Sequence, residues 1–254
     1  MKSSFFIRRI RIQLLLAVYL LFSYNSFPWF WSAMAGFFLI ILISYLEWGP
    51  DFFSRTGLPV KTNTITASLS LTGIIFFTSF YLIDSIAPAN GIVLRFIGLR
   101  PFFHDLFYTL NEEIVLGGIL LGSVRINFKK LPLWFISVSV ALAFAIVHFV
   151  FFKWIFNDRG DLSFLTLSSL FLIGVVRNNM IMGTGHIGYS WAIHSGWVCV
   201  MLGFAHWSIE TGKQLTDLQR FNLYLGNHLI ISILLVITVF SFFILYKPFK
   251  FFKF

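Results

Sequence analysis

Charged side chains are scarce in this sequence: they make up 11% of its 254 residues, against 58% hydrophobic residues, at a mean hydropathy of +0.85. Soluble domains carry about 25% charged residues to cover their cores, so a water-soluble fold is excluded. Cysteine is all but missing. Cys199 is the single one, which rules out an intrachain disulfide and a thiolate metal cluster. Acidic residues are few, 10 against 19 Lys and Arg, leaving a net charge of +9. The cations sit at the ends of apolar stretches and form no single patch, so they read as anchors facing anionic headgroups, with no nucleic-acid partner. A long polar linker is also lacking, so residues 1–254 are expected to form a single integral membrane domain.

What the sequence has in abundance is apolar stretches of roughly 20 residues, each long enough to cross about 30 Å of hydrocarbon as a helix. Eight spans are expected, at 8–26, 28–47, 65–87, 102–123, 132–152, 162–180, 188–208 and 224–246, an all-α polytopic transmembrane helix bundle. Pro28, Pro50, Pro59, Pro88, Pro101 and Pro132 punctuate the boundaries. The stretch Ile10 to Phe22 has basic residues in front and only Tyr24, Asn25, Ser26, Phe27 and Pro28 behind, so it reads as a retained first span and not a cleaved signal. With eight spans, the side of the two termini carries Lys2, Arg8, Arg9, Arg11, Arg55, Lys61, Arg125, Lys129, Lys130, Arg177, Lys247, Lys250 and Lys253, thirteen of the 19 cations. The opposite side carries Arg95, Arg100, Lys153, Arg159, Lys213 and Arg220, so both termini are expected in the cytoplasm. Residues Gly91 to Arg100 form a short amphipathic segment expected along the opposite interface.

Ionisable groups inside a span are costly and mark functional candidates. Glu112 and Glu113 lie in the middle of the fourth stretch with no Lys or Arg within a helical turn. Adjacent helical positions diverge by about 100°, so the two carboxylates are expected to meet different neighbours and to serve different ends, one acting on water and the other holding a helix. A pair hydrogen-bonded only for packing is the competing reading. His148 lies one turn after Phe144, and His194 sits between Ile193 and Ser195 in another apolar stretch. His186 shares the face of His194 if that helix begins early enough. Arg177, Asn178 and Asn179 end the sixth span, either as a cytoplasmic anchor or as groups reaching the carboxylates. His104, His206 and His228, near span ends, are expected at headgroups. Gly118 and Gly122 form a small-residue spacing suited to close helix packing.

These residues resemble the CPBP intramembrane proteases, the Abi family that includes CAAX-prenyl endopeptidases. The family pattern is Glu-Glu with Arg four residues after the second Glu, then Phe-x-x-x-His, then His-x-x-x-Asn. Glu112-Glu113, Phe144 to His148 and His194 follow it in order across residues 102–200, with the catalytic core expected at 102–208. Gly117 stands at the Arg position and Val198 at the Asn position, with Arg177 or Asn178 as possible substitutes. The resemblance implies an intramembrane endopeptidase needing no cofactor or metal, in which Glu112 activates water, His148 assists, His194 stabilises the oxyanion and Glu113 orients. It implies a protein or peptide substrate, lipidated or bearing a C-terminal sorting segment, and a bacterial inner membrane is the expected setting. Other readings stay open: a zinc site held by His148, His194 and Glu112, a non-catalytic scaffold or immunity protein of the same fold, and a proton-relaying transporter.

Overall fold

The computed structural model describes residues 14–20, 22, 31–150 and 160–246. Most of the first expected span, and the cations Lys2, Arg8, Arg9, Arg11, Lys153, Arg159, Lys247, Lys250 and Lys253 counted for orientation, lie outside the described residues. Residues 14–20 are helical. Helix α1 (Ser32–Trp48) passes through a tight turn (Gly49–Asp51) into α2 (Phe52–Thr56), and α3 (Thr62–Ala89) follows. Next come β1 (Ile92–Phe96), α4 (Leu99–Glu112), a π-helical stretch (Glu113–Leu121) and α5 (Gly122–Asn127). Helices α6 (Leu133–Val150), α7 (Phe164–Thr184) and α8 (Gly188–Met201) precede β2 (Phe204–Ser208), α9 (Asp217–Tyr224) and α10 (His228–Tyr246).

Among the described residues, five helical segments are long and apolar enough to cross a membrane: Ser32–Thr56, Thr62–Ala89, Leu133–Val150, Phe164–Thr184 and His228–Tyr246. The outward faces of α3 and α10 are apolar as well, with Phe77, Tyr81, Val239 and Phe240 exposed, as expected of helices whose solvent is lipid. Helix α7 is the centre of the bundle. Its spanning window is 56% buried against 11% for α3, and it packs on both α6 and α10. Since lipid is as apolar as leucine, such helices associate by close packing and side-chain hydrogen bonds. Asn178 donates to the Ser137 carbonyl of α6 at 2.9 Å, and Asn179 donates to Ser241 Oγ of α10 at 2.9 Å. Asn111 likewise joins α4 to the Ala33 carbonyl of α1 at 2.8 Å.

The segment Gly91 to Arg100 contains a strand: β1 pairs antiparallel with β2, from Ile92 opposite Ser208 to Phe96 opposite Phe204. The seventh apolar stretch, expected to 208, therefore stops as a helix at Met201 and continues as that ribbon. Arg220 makes the break tolerable, because its Nη1 donates to the carbonyls of Met201 and Leu202 at the helix end and of Phe204 at the start of β2. Asp217 holds the same guanidinium from the other side.

His206 is not at a headgroup; it is fully buried in β2, its Nδ1–H donating to the Phe204 carbonyl at 3.0 Å and its ring 5.3 Å from that of Tyr224. Burial, and secondarily the neighbouring Arg220 charge, push its pKa down to about 4 from 6.5. Because the unfolded chain takes up the proton first, stability is full above pH 6.5 and falls as the pH drops through 4, by about 3 kcal/mol. The melting temperature of the detergent-solubilised protein should fall across this window, and His206→Phe should flatten the decline. Equal pH dependence in wild type and variant would refute the assignment.

Candidate functional site

The Glu pair sits where α4 becomes π-helical. The wider turn begins at Glu113, and π-helical segments recur at functional sites. Within it, a methyl group built on Gly118 would lie 1.9 Å from the Thr56 carbonyl oxygen, so α2 packs directly on the Gly118 backbone. Gly122 has nothing within 4 Å of such a methyl and opens on a groove instead, so only Gly118 of the glycine pair makes the expected helix contact.

The two carboxylates have different partners. Glu113 is completely engaged: Oε2 accepts from Arg177 Nε at 3.2 Å and from the Ser190 hydroxyl, and Oε1 accepts from His194 Nδ1 at 3.1 Å. Glu112 Oε2 accepts the Tyr19 hydroxyl hydrogen at 3.0 Å, while its Oε1 is buried with no hydrogen-bond partner among the described residues. Both side chains are fully buried. Of the pair, Glu112 alone keeps an oxygen free to accept a proton.

Arg177 does not end its helix as an anchor. It lies well inside α7 and is 4% exposed. Its guanidinium carbon stands 4.9 Å from the centre of the Phe144 ring, and that ring is 4.4 Å from the ring of His148. Phe144 therefore separates a cation from an imidazole, offering the cation a π-face and the imidazole an apolar wall. A methyl built on Gly117 would meet Ile181 Cδ1 at 2.7 Å, Glu113 Oε2 at 3.1 Å and Arg177 Nη2 at 3.4 Å. The missing side chain at 117 is thus the space through which the arginine of α7 reaches Glu113.

The two histidines meet at one cavity of about 160 Å³, which both line together with Phe144, Tyr108, Trp197 and Val198. His148 Nδ1 is 2.9 Å from the Phe144 carbonyl, an acceptor only, so Nδ1 carries the hydrogen and Nε2 is left as an acceptor. A second, smaller space of about 50 Å³ is bounded by Glu113, Arg177, Ser190 and His194.

Not every candidate comes to this place. Asn178 is spent on the Ser137 carbonyl. His186 lies in the loop before α8, where its Nδ1 accepts from the Gly188 N–H at 3.2 Å; the helix begins too late for it to share a face with His194. His104 is beside Asp105, with Nδ1 3.3 Å from Oδ1. Sequence reasoning missed Ser190 and Tyr19. Ser190 precedes His194 by one helical turn, a spacing that places both on one face; Tyr19 carries no such signal. Among the described residues no three His, Cys, Asp or Glu side chains gather at metal-ligand spacing. No protein-family model matches the sequence, and no curated protein or solved structure is similar to it.

Proposed function

We propose that this chain is a divergent CPBP-type intramembrane endopeptidase, a multi-pass protein of about eight crossings that hydrolyses a peptide bond of a membrane-associated protein or peptide with Glu112 as general base. The observation that carries the proposal is the division of labour in the pair: Glu113 is engaged on both oxygens, one of them by His194, whereas Glu112 keeps one oxygen unpaired, and His194 and His148 line a common cavity. Glu112 withdraws a proton from water, His148 Nε2 accepts a hydrogen bond from that water and orients it, and His194, as an imidazolium whose Nδ1–H is held by Glu113, donates from Nε2–H to the carbonyl oxygen as it becomes negative. Glu113 and Ser190 fix the His194 ring, and Arg177 balances the Glu113 charge within the bilayer. Arg177 thereby stands in for the arginine that the family carries at the position of Gly117.

Once the buried Arg177 and Arg220 are left out, twelve cations on the side of the termini face five on the other, which supports cytoplasmic termini. A bacterial inner membrane is the proposed location. Val198, at the family's Asn position, favours the rival: a scaffold or immunity protein that keeps the fold without the reaction.

The test is cleavage of single-span peptide substrates by the purified chain in proteoliposomes, with and without a chelator. His148→Ala should lower the rate by about 10² to 10⁴, and the chelator should change nothing. Cleavage untouched by His148→Ala would remove His148 from the reaction, absence of cleavage by the wild type would refute the peptidase, and chelator inhibition reversed by zinc would establish the metal-dependent alternative.

A further inference from the structure

The reaction proposed above needs a second donor for the carbonyl oxygen, and at the family's Asn position stands Val198, an aliphatic side chain that lines the cavity and donates nothing. One residue earlier, the indole of Trp197 lines the same cavity. Its Nε1–H is shielded from solvent and has no acceptor among the described residues. This is unusual for a buried indole, whose N–H ordinarily finds a partner. Trp191, on the same helix, shows that ordinary arrangement, its Nε1–H donating to the Leu106 carbonyl at 3.2 Å. An unpaired donor in an apolar, membrane-embedded site is costly, and such an expense is explained when the acceptor is supplied by a ligand.

Of the other polar groups around the cavity, Thr78, Tyr108 and His148 are committed elsewhere or already assigned, and the Ser79 hydroxyl lines it from α3, on a different element from His194. Thr78 Oγ1 donates to the Ile74 carbonyl at 2.9 Å, Tyr108 has contacts of its own, and His148 Nδ1 donates to Phe144. Trp197 follows His194 by three positions on α8, so helical spacing puts the indole and the imidazole on one face of one rigid element.

We infer that Trp197 Nε1–H is the second oxyanion donor, acting beside His194 in place of the missing asparagine. This inference rests on the peptidase reading. Water attacks the carbonyl carbon as Glu112 takes its proton, and the C=O π pair moves to the oxygen. The indole N–H and the His194 ring donate to that oxyanion. When the C=O bond re-forms, the C–N bond breaks and the proton held by Glu112 passes to the leaving nitrogen, so the carboxylate is restored.

The experiment compares wild type, Glu112→Gln, Trp197→Phe and Trp197→Phe/Val198→Asn on one peptide in proteoliposomes. Trp197→Phe keeps an aromatic ring and removes the donor. It should lower kcat about a hundredfold with KM changed by no more than about twofold, and the pH profile should keep its shape because no titrating group is lost. Asparagine at 198 should recover about tenfold or more of the loss, which a packing role for Trp197 would not allow. If Trp197→Phe fails to fold, a benzothiophene analogue of tryptophan at 197, which replaces N–H by sulfur, serves for the same comparison. Wild-type kcat in the donor-less protein, or a raised KM at unchanged kcat, overturns the role of Trp197 alone. Equal rates for wild type and Glu112→Gln overturn Glu112 as the base, and absence of cleavage by the wild type overturns the peptidase reading, and this inference with it.

Discussion

Replacing Glu113 by alanine should lower stability by about 3 to 5 kcal/mol, on the order of 10 °C in melting temperature. The change removes the one carboxylate that pairs with Arg177 among the described residues, and Arg177 is a side chain 4% exposed in the central helix of the bundle. The guanidinium would retain the π-face of Phe144 at 4.9 Å, worth much less than the desolvation of an unpaired cation. His194 and Ser190 would lose their acceptor in the same step. The cause can be separated from simple loss of volume by a double substitution. Glu113→Leu with Arg177→Met removes both charges and should recover most of the stability, since a buried ion pair contributes little net against apolar replacements of similar size. Thermal unfolding in detergent measures each variant. A melting temperature for Glu113→Ala within 2 °C of wild type, a margin of about 1 kcal/mol, would show that the ion pair does not hold the bundle.

The parts of the site that were legible in the sequence are the local ones. Adjacent carboxylates in an apolar stretch and a histidine one turn after a phenylalanine need no knowledge of tertiary structure to be noticed. The divergence of Glu112 and Glu113 toward different neighbours followed from helix geometry, and the structure places Tyr19 on one and Arg177, Ser190 and His194 on the other. The partner of Glu113 was not legible, because it comes from α7, 64 residues away in the chain. Its trace is a coincidence of two oddities: a glycine at 117, where a Cβ would collide with Ile181 and crowd the Glu113 carboxylate, and an arginine within an apolar run. The polar trio Arg177, Asn178 and Asn179 reads as a helix end when the alternative is lipid. The helix instead continues to Thr184, since Arg177 pairs with Glu113 while Asn178 and Asn179 bond to α6 and α10. The ribbon of β1 and β2 was hidden for the opposite reason. Residues 204–208 are as apolar as the helix before them, and a hydropathy window does not distinguish a strand from one more helical turn.

Replacing Glu112 by glutamine should reduce kcat/KM about a thousandfold and leave the fold intact. The amide oxygen can still accept the Tyr19 hydroxyl hydrogen, at 3.0 Å in the wild type, so the tie between the first helical segment and α4 survives. The free oxygen of the carboxylate, Oε1, has no partner to lose. What disappears is basicity: an amide does not take a proton from water near neutral pH. Glutamine at 113 should behave differently. It disturbs Arg177 and the His194 ring, lowering stability together with activity, whereas the 112 variant separates them. Rates and melting temperatures measured on the same preparations therefore decide which carboxylate is the base. A Glu112→Gln protein within tenfold of wild-type activity, beside an inactive Glu113→Gln protein of normal stability, would exchange the two roles. The free oxygen of Glu112 would then belong to packing, and the His194 contact of Glu113 to catalysis.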